Sequence, residues 1–469
     1  MLPISAFPAV AVHQAPAAPA LNVGAAAEHL GGMLRFKTVW FDHKGPAPSA
    51  ELKGLREYLA ATYPLVHQHL KVEQIGESLL YTWEPKTPPK KEPILLMSHM
   101  DVVPVEPGTE GKWTHPPFAG VVADGKIWGR GAIDTKGTLC AVLEALESLL
   151  AAGGEPNRVV HVAFGADEEV LGLTGAARIA KTLKERGVKV EFAIDEGTPI
   201  VDGANIGIPK PAAVISLSEK GFVSVELTAT GPAGHSSIPV PNTAIEVLAR
   251  VIGRLQENQP APRMTDPVRH MLQAIAKELP LAKRLALQAG AVGEWLFMRQ
   301  LLASPTTAAM VRTISTPTII NGGMKDNVIP ESARATVNFR TLPGESVEDV
   351  VARVKEAIGD DKVTLELIEN AHAASPVSSP TSAGFMAMGA AIRAAFGDDV
   401  VMVPTLAIGA TDARYFDEVA KDAYRFSPYK LSREDIGSIH ATNEKLSIEN
   451  LEGAIRFYQK VLTETAVDL

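Results

Sequence analysis

The sequence predicts an α/β fold: a mostly parallel mixed sheet flanked by helices, interrupted by a smaller α+β unit. Three observations carry this. Between Ile94 and Gly197, short apolar runs alternate with helix-spaced ones, the pattern of a parallel sheet with crossover helices. The ends of those apolar runs carry the acids and a histidine (His99 and Asp101, Glu168 and Glu169, Asp195), and the carboxyl ends of parallel strands are where ligands collect. Near Gly221 the order changes to strand, helix, strand, strand, helix, strand, which reads as an inserted ferredoxin-like sandwich.

In chain order, residues 1–24 are rich in Ala and Pro and read as an extended or disordered arm. Helices are expected over 25–34 and 52–62, and strands in LLYTWEP and PILLMSHM. The segment 138–150 has helical spacing of Leu and Val and stops at Gly153-Gly154. RVVHVAFG is a buried strand, 173–186 an amphipathic helix, and 191–194 a further strand. In the insert, Val223 to Thr230 alternates as a half-exposed strand, and 242–256 is helical. Several helical stretches fill 267–304, and Ser346 with Asp349 starts a helix over 347–358. A last helix is expected over 448–465, capped by Ser447. The predicted units are 25–220 with 371–469 as the catalytic domain and 221–370 as a lid and dimerisation domain.

A chain of 469 residues exceeds what one core usually supports, consistent with two units. A net charge of −9 argues against nucleic acid as the main partner. The single cysteine, Cys140, excludes an intrachain disulfide and a Cys-rich zinc cluster, so His and carboxylates are left as metal ligands. No apolar run is long enough to cross a bilayer. The N-terminus lacks the basic start of a signal peptide, which leaves the compartment open between cytoplasmic and, with a trimmed leader, periplasmic or secreted.

His99 and Asp101 are two apart at a strand end and share a side, so Asp101 can accept the second ring N–H of a metal-bound His99. Asp134, in GRGAIDTKG, opens a helix; alone it would read as an N-cap. Glu168 and Glu169 are adjacent acids that repel in one cleft unless a cation or shared proton relieves them. Asp195 alone would be a turn residue and His440 a loop histidine. Together these residues make a site suited to two zinc ions with one bridging carboxylate. Paired metals roughly 3.5–4 Å apart lower the pKa of a bridging water and polarise a carbonyl.

The motifs SHMDVVPV, WGRGAIDTKG, ADEEVLGLTGA, IDEG, GHSS, NVIPESARATVNFR, GATDAR and IHATNE resemble the dizinc amidohydrolases that include aminoacylase, carboxypeptidase G, carboxypeptidase S and succinyl-diaminopimelate desuccinylase. The resemblance runs from about Leu34 to the last helix and is greatest to the carboxypeptidase S branch with its secreted N-acyl-amino-acid hydrolases. It implies that His99 and Asp195 hold one zinc, Glu169 and His440 the other, and Asp134 bridges them. Co2+ or Mn2+ can substitute. It further implies Glu168 as general base, Asp101 behind His99, and His235 as an oxyanion donor, often supplied by a partner subunit of a homodimer. Asn327 and Arg340 would hold the substrate, with Gly409 and Thr411 lining its carboxylate pocket. Lys220 reads as a solvated lysine.

The implied activity is zinc-dependent hydrolysis of N-acyl amino acids, small-molecule substrates with a free carboxylate on the amine side, reversible in principle. A carboxypeptidase or dipeptidase on short peptides is the alternative. A non-catalytic ligand-binding protein on the same scaffold is the alternative of another class, and a phosphoesterase with a similar metal set a third. The intact Glu168 argues against a mere binding protein.

Overall fold

The computed structural model describes residues 19–469 apart from residues 239 and 360. Most of the N-terminal arm therefore lies outside the described residues. The arm also ends earlier than expected. Asn22 accepts the amide N–H of Ala25 at 3.1 Å, so the first helix begins at Val23 and runs Val23–Leu34.

The large sheet runs, from edge to edge, Lys71–Ile75, Ser78–Trp83, Val160–Gly165, Ile94–His99, Val190–Asp195, Ala420–Arg425, Ala212–Glu219 and Val401–Ala407, and Ile200–Val201 pairs with Ala212–Glu219. Its four central strands, from Val160–Gly165 to Ala420–Arg425, are parallel neighbours. Two of them, Ile94–His99 and Val160–Gly165, are buried along their whole length. That burial explains why they read as continuous apolar runs rather than alternations. The helices Lys136–Ala151, Ala383–Phe396 and Ile448–Thr465 help close one main core. Ser447 caps the last of them by accepting the N–H of Asn450 at 3.1 Å.

The second sheet has the order Ile314–Gly322, Ser332–Thr341, Gly221–Thr230, Val363–Leu367, all antiparallel. With the helices Ala244–Glu257 and Val347–Ile358 this is the ferredoxin-like arrangement. Both helices open with a full capping box, Thr243 with Glu246 and Ser346 with Asp349. The sheet keeps a core of its own, built from Val223, Val225, Leu227, Val337 and Phe339 against Val247, Val251 and Val350.

The span 221–370, expected as one lid, is not one packing unit. The helices Asp266–Ile275, Ala291–Leu301 and Pro305–Val311 share a core with Val201, Ala212 and Val403 on the outer strands of the large sheet and with Ile208 in the loop between two of them. Val403 lies on an edge strand whose apolar face needs cover, and Val268, Met271 and Leu272 supply it. The hinge residue Lys220, expected in solvent, is fully buried and donates from Nζ to the carbonyls of Ala309 and Arg312 at 2.8 and 2.7 Å. Burial pushes its pKa down to about 7.

Candidate metal centre

The carboxyl edge of three adjacent parallel strands supplies most of the site. Ile94–His99 ends in His99, Val160–Gly165 leads into Glu168 and Glu169, and Val190–Asp195 leads into Glu196. Asp134 comes from the loop before the helix Lys136–Ala151, and His440 from the loop after Arg433–Ser438. Two triads result, His99–Asp134–Glu196 and Asp134–Glu169–His440, each with its three ligand atoms within 4.8 Å of one another. His99 Nε2 lies 3.1 Å from Asp134 Oδ1 and 3.3 Å from Glu196 Oε1. His440 Nε2 lies 2.9 Å from Asp134 Oδ2 and 3.2 Å from Glu169 Oε1. Asp134 thus faces both histidines, one with each oxygen.

Asp195 is not in either triad. Its carboxylate accepts the backbone N–H groups of Glu196 at 2.9 Å and Ala413 at 2.8 Å. Glu196 stands in the place expected for it. Successive residues of an extended strand end point to opposite sides, so only one of Asp195 and Glu196 faces the cleft, whereas Glu168 and Glu169 sit on a short 3-10 turn and both reach it. The motif IDEG shows the pair but not which member turns inward.

The triads are held from behind. Asp101 sits with one carboxylate oxygen 3.4 Å from His99 Nδ1, whose closer partner is the Asp101 carbonyl at 3.0 Å. The same carboxylate accepts the backbone N–H groups of Glu168 and Glu169 at 3.1 and 3.0 Å, fixing the turn that carries both acids. Sequence reasoning missed Glu444, the last residue of IHATNE. Fully buried, it accepts the N–H groups of Gly131, Ile133 and Asp134 at 3.1, 2.9 and 3.2 Å, and Arg130 Nη1 at 2.6 Å. Asn443 accepts Thr114 N–H at 2.6 Å and so ties the same loop to 112–114. His440 itself has φ +61°, a left-handed conformation that a non-glycine residue keeps only when its surroundings hold it there.

Four acids and a histidine with strongly perturbed titration crowd this place. Burial, then the Glu196 charge, pushes Glu168 well above the ordinary glutamate range. Burial, then Asp134, pushes Glu196 up to about 8. Burial and then Asp195 raise Asp412, which nests against Gly165 and Gly172 and, among the described residues, has no hydrogen-bond partner on either oxygen. A Cβ on Gly172 would fall 2.2 Å from Asp412 Oδ1, so the nest requires glycine there. Burial also works against a charged Asp134, but hydrogen bonds from His440 and His99 outweigh it and hold its pKa low. Hydrogen bonds to Asp134 and Glu169 push His440 up to about 10. So many buried carboxylates around two imidazoles call for a cation. The donors are all imidazole nitrogen and carboxylate oxygen, a set suited to zinc, cobalt or manganese.

Beside the triads is a cavity of about 210 Å³, lined by Glu168, Glu169, Phe222, Arg340, His372, Gly409, Arg414 and Tyr415. Arg340 comes from the small sheet; its guanidinium stacks 4.5 Å over Phe222 and its Nε donates to Asn338 at 3.2 Å. Arg414, from GATDAR, was not singled out from the sequence. It donates to the carbonyls of Thr411 and Leu171, which leaves further N–H groups free. Burial and then the Arg414 charge lower the Arg340 pKa, so the two cations face one space. Thr411 does not line this cavity. Its N–H and hydroxyl both donate to buried Glu219, at 3.1 and 3.0 Å, and Glu219 also accepts Arg425 Nε at 3.1 Å.

His235 and Asn327 are together but elsewhere. Gly234–His235 pairs with Val328–Ile329, and Ser236 N–H donates to the Asn327 carbonyl at 3.2 Å. Both residues are exposed. His235 Nδ1 accepts from Ser237, and among the described residues neither side chain bonds to a member of the triads.

A family model described as peptidase family M20/M25/M40 matches residues 95–464. The chain belongs to that family. This M20 chain is 38% identical over 444 residues to the probable carboxypeptidase S-like 2 of Dictyostelium discoideum, across 94% of this chain and 85% of the relative. It is 35% identical over 462 residues to the N-fatty-acyl-amino acid synthase/hydrolase PM20D1 of Xenopus tropicalis, across 94% of this chain and 86% of that one. Among solved structures, the M20 family metallo-carboxypeptidase Sso-CP2 from Sulfolobus solfataricus superposes with a TM-score of 0.66 at 20% identity, covering 93% of this chain and 98% of the other. That likeness shows the shared fold, with its mostly parallel central sheet flanked by helices. The protein is thus an M20 metallohydrolase, and its gathered His and carboxylate residues fit a metal cofactor. No helix among the described residues is long and apolar enough to cross a membrane.

Proposed function

We propose that this M20 hydrolase cleaves the amide bond of N-acyl amino acids, with two zinc ions held by His99, Asp134 and Glu196 and by Asp134, Glu169 and His440. The observation that carries the reading is one cavity lined by Glu168, by Glu169 of the second triad and by the paired cations Arg340 and Arg414, with the other triad beside it through the shared Asp134. A base, a metal centre and a site for a carboxylate are what such a substrate requires. The similarity to an N-fatty-acyl-amino acid synthase/hydrolase supports it.

Bound zinc would polarise the scissile carbonyl and acidify the attacking water. Glu168 takes the proton from that water and delivers it to the leaving amine nitrogen. Arg340 binds the substrate carboxylate as a two-pronged donor, and Arg414 offers a second cation beside it. Asp101 keeps His99 in one tautomer and the Glu168 turn in place. His235, exposed on the strand that pairs with Val328–Ile329, would reach the oxyanion of a partner subunit's site in a homodimer. Because hydrolysis is reversible, condensation of an acid with an amino acid follows at high reactant concentrations.

The similarity to a carboxypeptidase S-like protein favours a second reading, removal of the last residue from short peptides. Both substrates present a free carboxylate on the amine side. A panel of N-acyl amino acids and dipeptides, tested with metal-free and zinc-restored protein, separates them. Zinc-dependent release from N-acyl substrates supports the first; cleavage of dipeptides alone replaces it with the second. No turnover with metals bound would overturn both.

A further inference from the structure

The helices Leu281–Gln288 and Ala291–Leu301 form a hairpin on the surface. They cross closely at Gly293, where a Cβ would meet the Ala286 carbonyl at 1.9 Å. Leu287, Phe297 and Leu301 turn inward, each 7% exposed, into the core with Val268 and Val403. The opposite faces are apolar as well. Leu281 and Leu285, one turn apart, are 63% and 56% exposed; Val292, Trp295 and Leu296, on one stripe of the next helix, are 63%, 56% and 45% exposed. Single exposed apolar side chains are ordinary, but five on the outward faces of two packed helices mark a contact surface.

The charges around it say what the contact is. Lys277, Lys283, Arg284 and Arg299 lie on or beside the hairpin, and the Arg299 guanidinium sits 5.0 Å from the Trp295 ring. The acids of the same stretch are already paired: Glu278 with Lys210 at 3.0 Å, and Glu294 with Arg269 at 3.8 Å. A chain of net charge −9 therefore presents an apolar face with a basic rim. We propose that this face docks on an anionic phospholipid surface, the apolar side chains entering the interface and the basic ones meeting headgroup phosphates. A second copy is the poorer occupant, because a two-fold contact would set the same cations against one another. The proposal rests on the face alone and holds whichever substrate the site takes.

The test is flotation of the full chain, zinc-loaded, with two kinds of vesicle: phosphatidylcholine alone, and phosphatidylcholine with about a third phosphatidylglycerol. The expected result is salt-sensitive binding to the anionic vesicles with a blue shift of tryptophan emission. The double variant Leu285→Ser with Trp295→Ser should lose about tenfold or more of that binding. Both positions are exposed, so its far-UV dichroism and its activity on a water-soluble substrate stay at the wild-type level and show that it folds. Absence of binding to either vesicle, or equal binding by the double variant, overturns the proposal. So does a wild-type dimer that the double variant dissolves without any vesicle binding, which would assign the face to a second copy.

Discussion

The triads around Asp134 and the short strand pair bearing His235 are built on opposite principles. Around Asp134 each chemical group is fixed by a segment remote in sequence: Asp101 clamps the Glu168–Glu169 turn, and Glu444 clamps the loop of Asp134 from about 310 residues away. His235 lies on a short strand paired with Val328–Ile329, and Asn327 in the turn before that strand; both are exposed, and the His235 side chain is held only by Ser237, its near neighbour, among the described residues. Charged groups that must share buried cations need every lone pair placed before the metal arrives. A donor needed only while an oxyanion exists is better delivered by lid movement or by a partner.

The comparison breaks first at Glu168. Glu168→Gln should lower kcat by about 10³–10⁴-fold while metal content stays the same, since in the proposed mechanism the side chain would move protons, and it lies outside both triads. Loss of metal on that change would make Glu168 a ligand instead. Next comes His235→Ala, with kcat lower by about 10²–10³-fold and metal content unchanged. Mixing His235→Ala with Glu168→Ala subunits should restore part of the activity; if mixed dimers form and stay inactive, delivery in trans is wrong.

The inward acid at the end of Val190–Asp195 separates ligand from support. Glu196→Gln should weaken one metal site by about 100-fold, and Asp195→Asn by about tenfold, read by competition with a chelator. The reverse order would restore the assignment that the family resemblance implies.

The smallest effect is on pH. Without metal, hydrogen bonds to Asp134 and Glu169 push His440 up to about 10 and burial pushes Glu196 up to about 8, which favours the proton-bound form of both at neutral pH. Both pKa values are raised, so the proton-bound form persists to higher pH and metal must expel those protons. Apparent metal affinity should therefore rise with pH, by about tenfold per unit for each proton released, and less steeply once Glu196 has titrated. Proton release into weak buffer on adding zinc measures the count; none released would mean that the site is already deprotonated.

Local sequence determined the order of elements. Short, mostly apolar strands end at His99, Gly165 and Asp195 because a central strand is buried on both faces, and Ser346, Asp349 and Ser447 announce their helices through a hydrogen bond three residues long. The same signals placed the chemistry at the strand ends. What the tertiary structure decided is everything that depends on facing and on distant pairs. Asp195 and Glu196 differ only in which way the chain turns after the sheet lets go. Glu444, Arg414 and Glu219 act through partners between about 190 and 310 residues away, and no local pattern announces them. Lys220 read as a solvated lysine because lysine usually is one; two backbone carbonyls at the end of the helical insert make burial affordable for it. The same insert joined the large sheet rather than the small one because an uncovered edge strand offered its apolar face there, a vacancy that exists only once the sheet has formed.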